Sequence, residues 1–342
     1  MGDFISTETV DSRRGCDGST AYSWDSIRTL IMQKIAIIGY GNHVKKNILP
    51  AISRMSEVEV DAIYVRDLTR YQEEAEAAGV TLRSLDESIG GEVEWVYVAT
   101  PITTHYDLAS RFLRMGKHVI CEKPLTENYE KSLKLLEIAE TSGRRLFEVC
   151  MYQYHKQFEH LRALVESKKG ELKTFSTAFA IPHLNTDNIR YNKELGGGAL
   201  LDVGYYPVSL ILSLFGEPKA IQTEKFTDAG YEVDLRGIAI FRYDGFYAIA
   251  EWGIGLPYRN EATLTSDTEA YVYERIFSKP PTLETSVKVS SQSGIVATAI
   301  GMDDPFVNLF QSCFSALEQN DKAAIRSVNL HTLKALSEIA RG

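Results

Sequence analysis

The stretch that organises this chain is Gly116-Lys117-His118-Val119-Ile120-Cys121-Glu122-Lys123-Pro124, close to its middle. Residues 118–121 are predicted to form a short buried strand. Pro124 ends it, because proline lacks the backbone N–H and fixes φ. In an open parallel sheet, the residues just past the carboxyl end of a strand line the ligand crevice. Lys123 is therefore predicted to lie where a cofactor and a substrate meet.

Length and composition indicate an ordinary globular protein with room for two domains. The 342 residues are 44% apolar and 24% charged, which is typical of a folded chain. The net charge of −9 argues against a nucleic-acid partner, because phosphate backbones select basic surfaces. No apolar run approaches the roughly 20 residues that a membrane helix needs. The four scattered cysteines and the absence of zinc-type spacings predict reduced thiols, no metal site and a cytoplasmic location.

A glycine-rich turn follows the first strong strand signal. Residues 35–38 read as a buried strand, the turn is Gly39-Tyr-Gly41-Asn42-His43-Val44, and a helix is predicted to follow. Gly39 permits the tight turn, and Gly41 lets the backbone approach a pyrophosphate that the helix N-terminus faces. Together with Asn42 and His43, these glycines are predicted to bind a dinucleotide, although Val44 replaces the third glycine of the usual motif.

The end of the second strand bears on which dinucleotide is bound. The strand predicted over 58–65 ends at Arg66, where an enzyme that binds NAD would carry Asp or Glu for the ribose diol. Arginine suits bidentate phosphate contact and stacking on adenine, which favours NADP(H) over NAD(H). The alternative is that Arg66 is a solvent-exposed side chain without a ligand.

Strands and helices continue to alternate up to residue 150. A strand predicted over 93–99 leads into Thr100, Pro101 and His105, and a helix follows over 106–115. Thr100 and Pro101 are expected at the crevice, whereas His105 either hydrogen-bonds a ligand or caps its helix. The alternation predicts a doubly wound parallel sheet, an α/β Rossmann domain over residues 32–150.

The pattern changes from residue 151 onward. A polar helix over 152–168 precedes strands with a period of two, joined by tight turns such as Tyr243-Asp-Gly-Phe246. These features predict an α+β domain over 151–342, with a large, mainly antiparallel open sheet. Helices over 305–318 and 324–340 close the chain. The predicted strands cover 173–181, 220–226, 236–243, 246–252, 261–265, 270–276 and 285–289.

One predicted helix of the second domain, 199–215, carries two polar residues on an apolar surface. Asp202 and Tyr206 are four residues apart and so share a helical face. Because a lone Asp in an apolar helix needs a partner, the two side chains indicate a polar site that enters a pocket. A hydrogen bond between the helix and a loop is the alternative for Asp202.

Residues 1–31 differ from the rest of the chain. They are polar, rich in glycine and without a sustained period, and they lack the apolar core of a signal peptide. We predict a poorly patterned extension that contributes little to the core, so that the functional fold begins at Met32.

Taken together, these motifs resemble the Gfo/Idh/MocA oxidoreductase family, over nearly everything from Met32 onward. The matching pieces are Gly39-x-Gly41, Ala99-Thr-Pro-x-x-x-His105, Gly116–Pro124 and Gly196-Gly-Gly-Ala-Leu-Leu-Asp202. The resemblance implies a Rossmann domain followed by a sheet domain that covers the nicotinamide. It also implies a homodimer or homotetramer that assembles through that sheet. Lys123 would be the catalytic lysine, with Asp202 in the site and Glu122 and His105 next to the cofactor.

A subgroup of the family is most similar to this chain. Many members carry His four residues after the Asp, whereas this chain carries Tyr206. With the runs 179–182, 187–191 and 274–280, this is similar to NADPH-dependent sugar 3-ketoreductases that act on nucleotide-linked deoxysugars. The resemblance implies substrate contacts from Tyr152, Arg190 and Tyr191. An NADP-dependent aldose or trans-dihydrodiol dehydrogenase, and a catalytically silent dinucleotide sensor, are the alternatives.

The chemistry expected is hydride transfer between the nicotinamide and a sugar carbonyl. The carbonyl oxygen gains negative charge, which a positioned cation or hydrogen-bond donor stabilises. Lys123 is the first choice for that role, Tyr206 the second, and Asp202 is expected to orient Lys123 or a substrate hydroxyl. The abrupt reversal after the strand, together with the family resemblance, predicts a cis Lys123–Pro124 bond.

Overall fold

A computed structural model of the chain describes residues 32–318 and 328–341. The extension predicted for residues 1–31 lies outside the described residues, as does the start of the last predicted helix. The strands in the described part are β1 (Gln33–Ile38), β2 (Val58–Val65), β3 (Leu82–Ser84), β4 (Trp95–Val98), β5 (His118–Glu122), β6 (Leu146–Val149), β7 (Thr174–Ile181), β8 (Ala220–Phe226), β9 (Arg236–Arg242), β10 (Tyr247–Ile254), β11 (Arg259–Thr265), β12 (Ala270–Glu274), β13 (Thr285–Ser291) and β14 (Gly294–Gly301). The α-helices there are α1 (Leu49–Ile52), α2 (Gln72–Ala77), α3 (His105–Arg114), α4 (Tyr129–Thr141), α5 (Lys156–Ser167), α6 (Tyr205–Phe215), α7 (Pro305–Glu318) and α8 (Leu330–Arg341).

The first six strands form one parallel sheet in the order β3-β2-β1-β4-β5-β6. Its central strands are apolar throughout because both faces are covered. Ile37 and Tyr97 pack toward Phe310 of α7 on one face, whereas Ile38 and Val98 pack toward Phe112 of α3 on the other. This confirms the Rossmann sheet. The strand order reverses between β1 and β4, and ligands bind at such a switch point.

The second sheet has eight strands in the order β14-β13-β12-β11-β7-β10-β9-β8. Neighbouring strands are antiparallel except for β7 and β10, which run parallel. The mainly antiparallel sheet is thus confirmed, whereas the boundary between residues 150 and 151 stays a prediction. β14 was not predicted, because Ile295 and Val296 are both largely exposed (75% and 65%). A strand without a buried face leaves no alternation in the sequence.

The helix that carries Asp202 covers one face of this second sheet. It begins with a π-helical turn over Leu200–Gly204 and continues as α6, which buries Val208 and Ile211 in a core shared with Phe175 and Phe241. Among the described residues, the stretch Lys193–Phe215 alone is long and apolar enough to cross a membrane. It is 72% buried inside the fold, and a core helix passes the same test of length and composition.

Candidate active site

A crevice of about 1400 Å³ opens at the carboxyl ends of β1, β2, β4 and β5, and residues 179–206 line its opposite wall. It brings together most of the predicted site residues. In the described part of the chain, no three His, Cys, Asp or Glu side chains come together as metal ligands. The predicted residues that line the crevice are Gly39, Gly41, Asn42, His43, Arg66, Thr100, Pro101, His105, Glu122, Lys123, Arg190, Asp202 and Tyr206.

The glycine-rich turn fits a dinucleotide. Gly39 has φ +100°, and a Cβ there would lie 2.6 Å from the carbonyl oxygen of Ala99, so only glycine fits. At Gly41 a Cβ would meet no protein atom within 4 Å. The backbone of Gly41 therefore faces open space in the crevice, where a pyrophosphate can approach it.

The far end of the crevice carries cations. Arg66 lines it as an exposed side chain, and no ion pair of Arg66 occurs among the described residues. The neighbouring Asp67 is already engaged, because its carboxylate accepts the backbone N–H of Arg70 at 3.1 Å. Arg70 lies over the ring of Tyr71, 5.3 Å from its centroid. The charge at this end suits an anionic ligand.

The turn after β5 presents Lys123 to the crevice. The Lys123–Pro124 bond is cis, as the sequence predicted. The buried carboxylate of Glu148 accepts the N–H of Leu125 at 2.9 Å and that of Asn329 at 3.0 Å. The turn is thus bonded to β6 on its buried side. Sequence reasoning missed Glu148. The signal was a carboxylate inside the otherwise apolar strand β6, because a buried charge requires partners.

His105 contacts the same turn, which corrects its alternative role as a helix cap. Its ring is 1% exposed, with Nδ1 3.0 Å from the carbonyl oxygen of Pro124 and Nε2 2.8 Å from that of Thr100. Its side chain caps no helix. Burial lowers the pKa of His105. Both ring nitrogens face backbone carbonyls, and the residue also lines the crevice, so contact between His105 and a ligand stays a prediction.

Lys123 and Asp202 meet across the crevice. The Lys123 ammonium donates to the Asp202 backbone oxygen at 2.9 Å and to its Oδ1 at 3.1 Å. The guanidinium of Arg190 donates to the other carboxylate oxygen. Burial alone would raise the pKa of Asp202, but the charges of Lys123 and Arg190 outweigh it and hold the pKa well below its usual range. Asp202 therefore bridges two cations as a permanent carboxylate.

Tyr206 lies on the same wall, one helical turn from Asp202. Its ring centroid is 4.4 Å from the Lys123 ammonium and 5.1 Å from the ring of Phe179. Burial, with the nearby carboxylates of Glu122 and Asp202, raises the pKa of Tyr206 well above its usual value. No described residue forms a hydrogen bond with its hydroxyl. Tyr206 thus keeps its proton and has a free donor.

Glu122, just before Lys123, is held by two side chains. Its carboxylate lies 2.8 Å from Nε2 of His43 and accepts the hydroxyl of Tyr97 at 2.5 Å. Burial would lower the pKa of His43, but Glu122 outweighs it and raises that pKa. The same pairing lowers the pKa of Glu122 against the effect of burial. The pair joins the glycine-rich turn to the lysine turn.

Two residues predicted to contact substrate lie outside the crevice lining. Tyr152 is fully buried, and its hydroxyl bonds to Ser209 at 2.8 Å. Its ring packs behind Tyr206 at 6.3 Å between centroids. The hydroxyl of Tyr191 accepts the N–H of Leu184 at 2.9 Å. The structure therefore corrects the prediction for Tyr152, which packs behind Tyr206 and does not contact a substrate. The hydroxyl of Tyr191 is bonded within its own loop.

Comparisons with known proteins agree with this architecture. The Gfo/Idh/MocA model described as "Oxidoreductase family, NAD-binding Rossmann fold" matches residues 33–150, and the "GFO/IDH/MocA C-terminal domain" matches residues 158–273. A dTDP-3,4-didehydro-2,6-dideoxy-alpha-D-glucose 3-reductase of Streptomyces violaceoruber is 29% identical over 75% of this chain and 76% of its own length. A D-xylose 1-dehydrogenase (NADP(+)) of Haloferax volcanii is 27% identical over 89% of this chain and 96% of its own.

A solved structure shares the fold. It is a 3-ketoreductase from Actinomadura kijaniata in complex with NADP and TDP-benzene. The TM-score is 0.83, the sequence identity is 24%, and the match covers 91% of this chain and 97% of that one.

Proposed function

The chain belongs to the Gfo/Idh/MocA oxidoreductase family, and on that premise we propose that it uses NADPH to reduce a keto group of a nucleotide-linked deoxysugar. One observation carries the proposal. The Lys123 ammonium, fixed by Asp202, lies against the ring of Tyr206, whose hydroxyl has no hydrogen-bond partner among the described residues, and both side chains line the same crevice. The substrate class follows the deoxysugar 3-reductases among the relatives.

The residues present fit the cofactor. The turn at Gly39 and Gly41 would hold its pyrophosphate, Arg66 its 2′-phosphate, and Thr100 and Pro101 would line its path to Glu122. The NADP complex of the structural neighbour and the NADP-dependent relatives support NADP(H) over NAD(H). When bound, the reduced nicotinamide supplies the hydride.

The chain's own residues stabilise and protonate the carbonyl oxygen. As the C=O π bond breaks and a C–H bond forms, the oxygen becomes anionic. Lys123 donates a hydrogen bond to it and then transfers a proton, so that an alcohol and a neutral amine result. Tyr206 donates a second hydrogen bond, and its raised pKa keeps that proton on the phenol. Preorganised donors of this kind stabilise the transition state, and Asp202 holds Lys123 in line.

The test is turnover with a matched set of substrates. A dTDP-linked 3-keto-deoxysugar with NADPH is compared with free aldoses and a trans-dihydrodiol with NADP, by following the absorbance of reduced nicotinamide. The proposal predicts turnover of the nucleotide-linked ketone and a higher melting temperature with NADPH and TDP together, because ligands stabilise the native state. Turnover confined to free sugars would contradict it.

A second candidate is an NADP-dependent aldose dehydrogenase. The D-xylose dehydrogenase among the relatives, which matches 89% of this chain, favours it. It predicts turnover of a free aldose with NADP and no effect of TDP on melting temperature. A catalytically silent sensor, the third possibility, predicts NADPH binding with no turnover of any of these substrates.

We further infer that the protein acts in the cytoplasm as a homodimer or homotetramer joined through the second sheet. The sheet face away from α6 carries half-buried aliphatic side chains, among them Ile238, Ile240, Ile249 and Val272. Cys121, Cys150 and Cys313 are free buried thiols, which suits a reducing compartment. Light scattering tests the assembly, and Ile240→Lys should shift the mass toward a monomer.

A further inference from the structure

A nucleotide-linked sugar brings a diphosphate, which needs a cation to bind it. The two cations at the reaction centre are already paired with a carboxylate. In such a substrate the diphosphate is attached at C1, two ring atoms from a keto group at C3. Lys123 and Arg190 both bind the carboxylate of Asp202. A diphosphate is bound best by an arginine that has no carboxylate partner.

Arg275 is such an arginine. It follows β12, and its side chain is exposed. Among the ion pairs found in residues 32–318 and 328–341, none involves Arg275. By contrast, Arg259 at the same edge of the sheet is paired with both Glu251 and Glu261. The Arg275 charge is thus left for a ligand.

The fold holds the Arg275 guanidinium in one place. It lies over the ring of Tyr258 at 4.5 Å from the centroid, and Nη1 donates to the Tyr258 hydroxyl at 2.9 Å. That hydroxyl also accepts Nδ2 of Asn260 at 3.0 Å, and the Arg275 N–H donates to the Asn260 carbonyl at 2.6 Å. An arginine held by stacking loses less side-chain freedom when it binds an anion.

The backbone at Arg275 is strained. Among the described residues it is the one non-glycine residue in the left-handed region, with φ +53°. Such a conformation is unfavourable for a residue with a side chain and is found preferentially at functional sites. The sequence here carries the large cation in place of the glycine or asparagine that this conformation favours.

The position is next to the substrate wall of the crevice. Tyr258 packs edge-on against Phe179 with 6.4 Å between centroids, and Phe179 lines the crevice and contacts Tyr206. Arg259, the residue after Tyr258, pairs with Ala180 of β7, so Tyr258 emerges at the edge where β7 ends in the crevice wall. From these contacts we propose that Arg275, held by Tyr258, binds the diphosphate of the nucleotide-linked substrate.

This inference rests on the proposed function and sharpens it. A free aldose has no phosphate, so Arg275 distinguishes the nucleotide-linked substrate from the free sugar. Arg66, which lines the crevice at the end of β2, is left for the cofactor. Loss of Arg275 should therefore weaken substrate binding without changing NADPH affinity.

The experiment is calorimetric titration of TDP into the full-length protein saturated with NADPH. Arg275→Asn and Arg275→Gly both tolerate the left-handed backbone, so they remove the charge without harming the fold. Because a hydrogen bond to a charged group contributes roughly 1.5–3 kcal/mol, the Kd for TDP should rise about ten- to hundredfold in both. Arg259→Gln, which removes a paired arginine from the same edge, should leave the Kd unchanged.

The outcomes separate the two proposals. If the wild-type protein binds TDP and both Arg275 variants bind it equally well, the role of Arg275 is wrong while the nucleotide-sugar function stands. If the wild-type protein binds NADPH but no TDP, the nucleotide-linked substrate class itself is wrong, and the role of Arg275 with it. With the complete substrate, the expected change is a raised KM at unchanged kcat.

Discussion

The two ends of the crevice use charge in opposite ways. At the cofactor end, Gly39 and Gly41 present backbone, and Arg66 has no ion pair among the described residues. At the reaction end, Lys123 is bound to the carboxylate of Asp202, and Glu122 to His43. At the cofactor end the cation is open to a ligand, whereas at the reaction end the charged groups are already paired with one another, and the pairing fixes their positions. Mutations should therefore lower cofactor affinity at one end, and turnover or stability at the other.

The largest effect should follow from Lys123→Met. The change removes the donor to the developing oxyanion, and loss of one such donor lowers kcat about 10²–10³-fold. NADPH affinity, set at the other end, should change little. Steady-state kinetics and a fluorescence titration of NADPH measure both quantities. Lys131→Met, which removes a partly exposed lysine paired with Glu127, is the control, and an equal loss in both variants would contradict the role.

Asp202→Asn should damage stability as well as turnover. It leaves two cations without their shared carboxylate, which we expect to cost about 3 kcal/mol, the low end for a broken buried pair because Arg190 is partly exposed. Chemical denaturation measures the free energy of unfolding.

Because the folded pKa of Asp202 is lowered, this stabilisation is present above the unfolded value near 3.9 and is lost as the pH falls toward the folded pKa.

Arg190→Gln is compared with Asp202→Asn in the same measurement of unfolding free energy. It removes one partner of Asp202 and leaves the contact with Lys123, so it should destabilise less than Asp202→Asn. An Asp202→Asn protein as stable as the wild type at neutral pH would show that the three charges are independent.

Arg66→Ala tests the cofactor end. Loss of a charge-assisted contact with the 2′-phosphate should cost about 1.5–3 kcal/mol. The KM for NADPH should therefore rise roughly ten- to hundredfold, while kcat and the melting temperature stay near the wild-type values. NADH, which lacks that phosphate, is the internal control. An equal rise in KM for NADPH and NADH would show that Arg66 does not bind the 2′-phosphate.

The smallest effect concerns the pair of His43 and Glu122. Because the folded pKa of His43 is raised, its stabilisation is fully present below the unfolded value near 6.5 and is lost as the pH rises through the folded pKa. His43 is 38% exposed, so solvent screening keeps the contribution below about 1 kcal/mol. The difference in unfolding free energy between the wild type and His43→Gln should shrink with rising pH. A difference independent of pH would rule out this charge pair.

Part of the site follows from local sequence because local backbone geometry demands it. Gly39 needs a positive φ, which few other residues adopt. Pro124 must end β5, which places Lys123 past the carboxyl end of a strand. Asp202 and Tyr206 are four residues apart, so an α-helix would place them on one face. The order of strands and helices likewise implied the parallel sheet and its crevice.

The remainder was decided by contacts between residues far apart in the chain. His105 is buried under Pro124, Tyr152 lies behind Tyr206, and Glu148 holds the turn at Leu125. No local pattern distinguishes a buried His or Tyr from one that meets a ligand. The partner of each polar group is chosen by packing, which brings Lys123 to Asp202 across 79 residues. The sequence by itself determined that Gly39, Lys123 and Asp202 reach the crevice, because backbone conformation and strand ends are local. Only the tertiary structure decided which charges are paired and which stay open to a ligand, because burial and pairing depend on every element that packs around them.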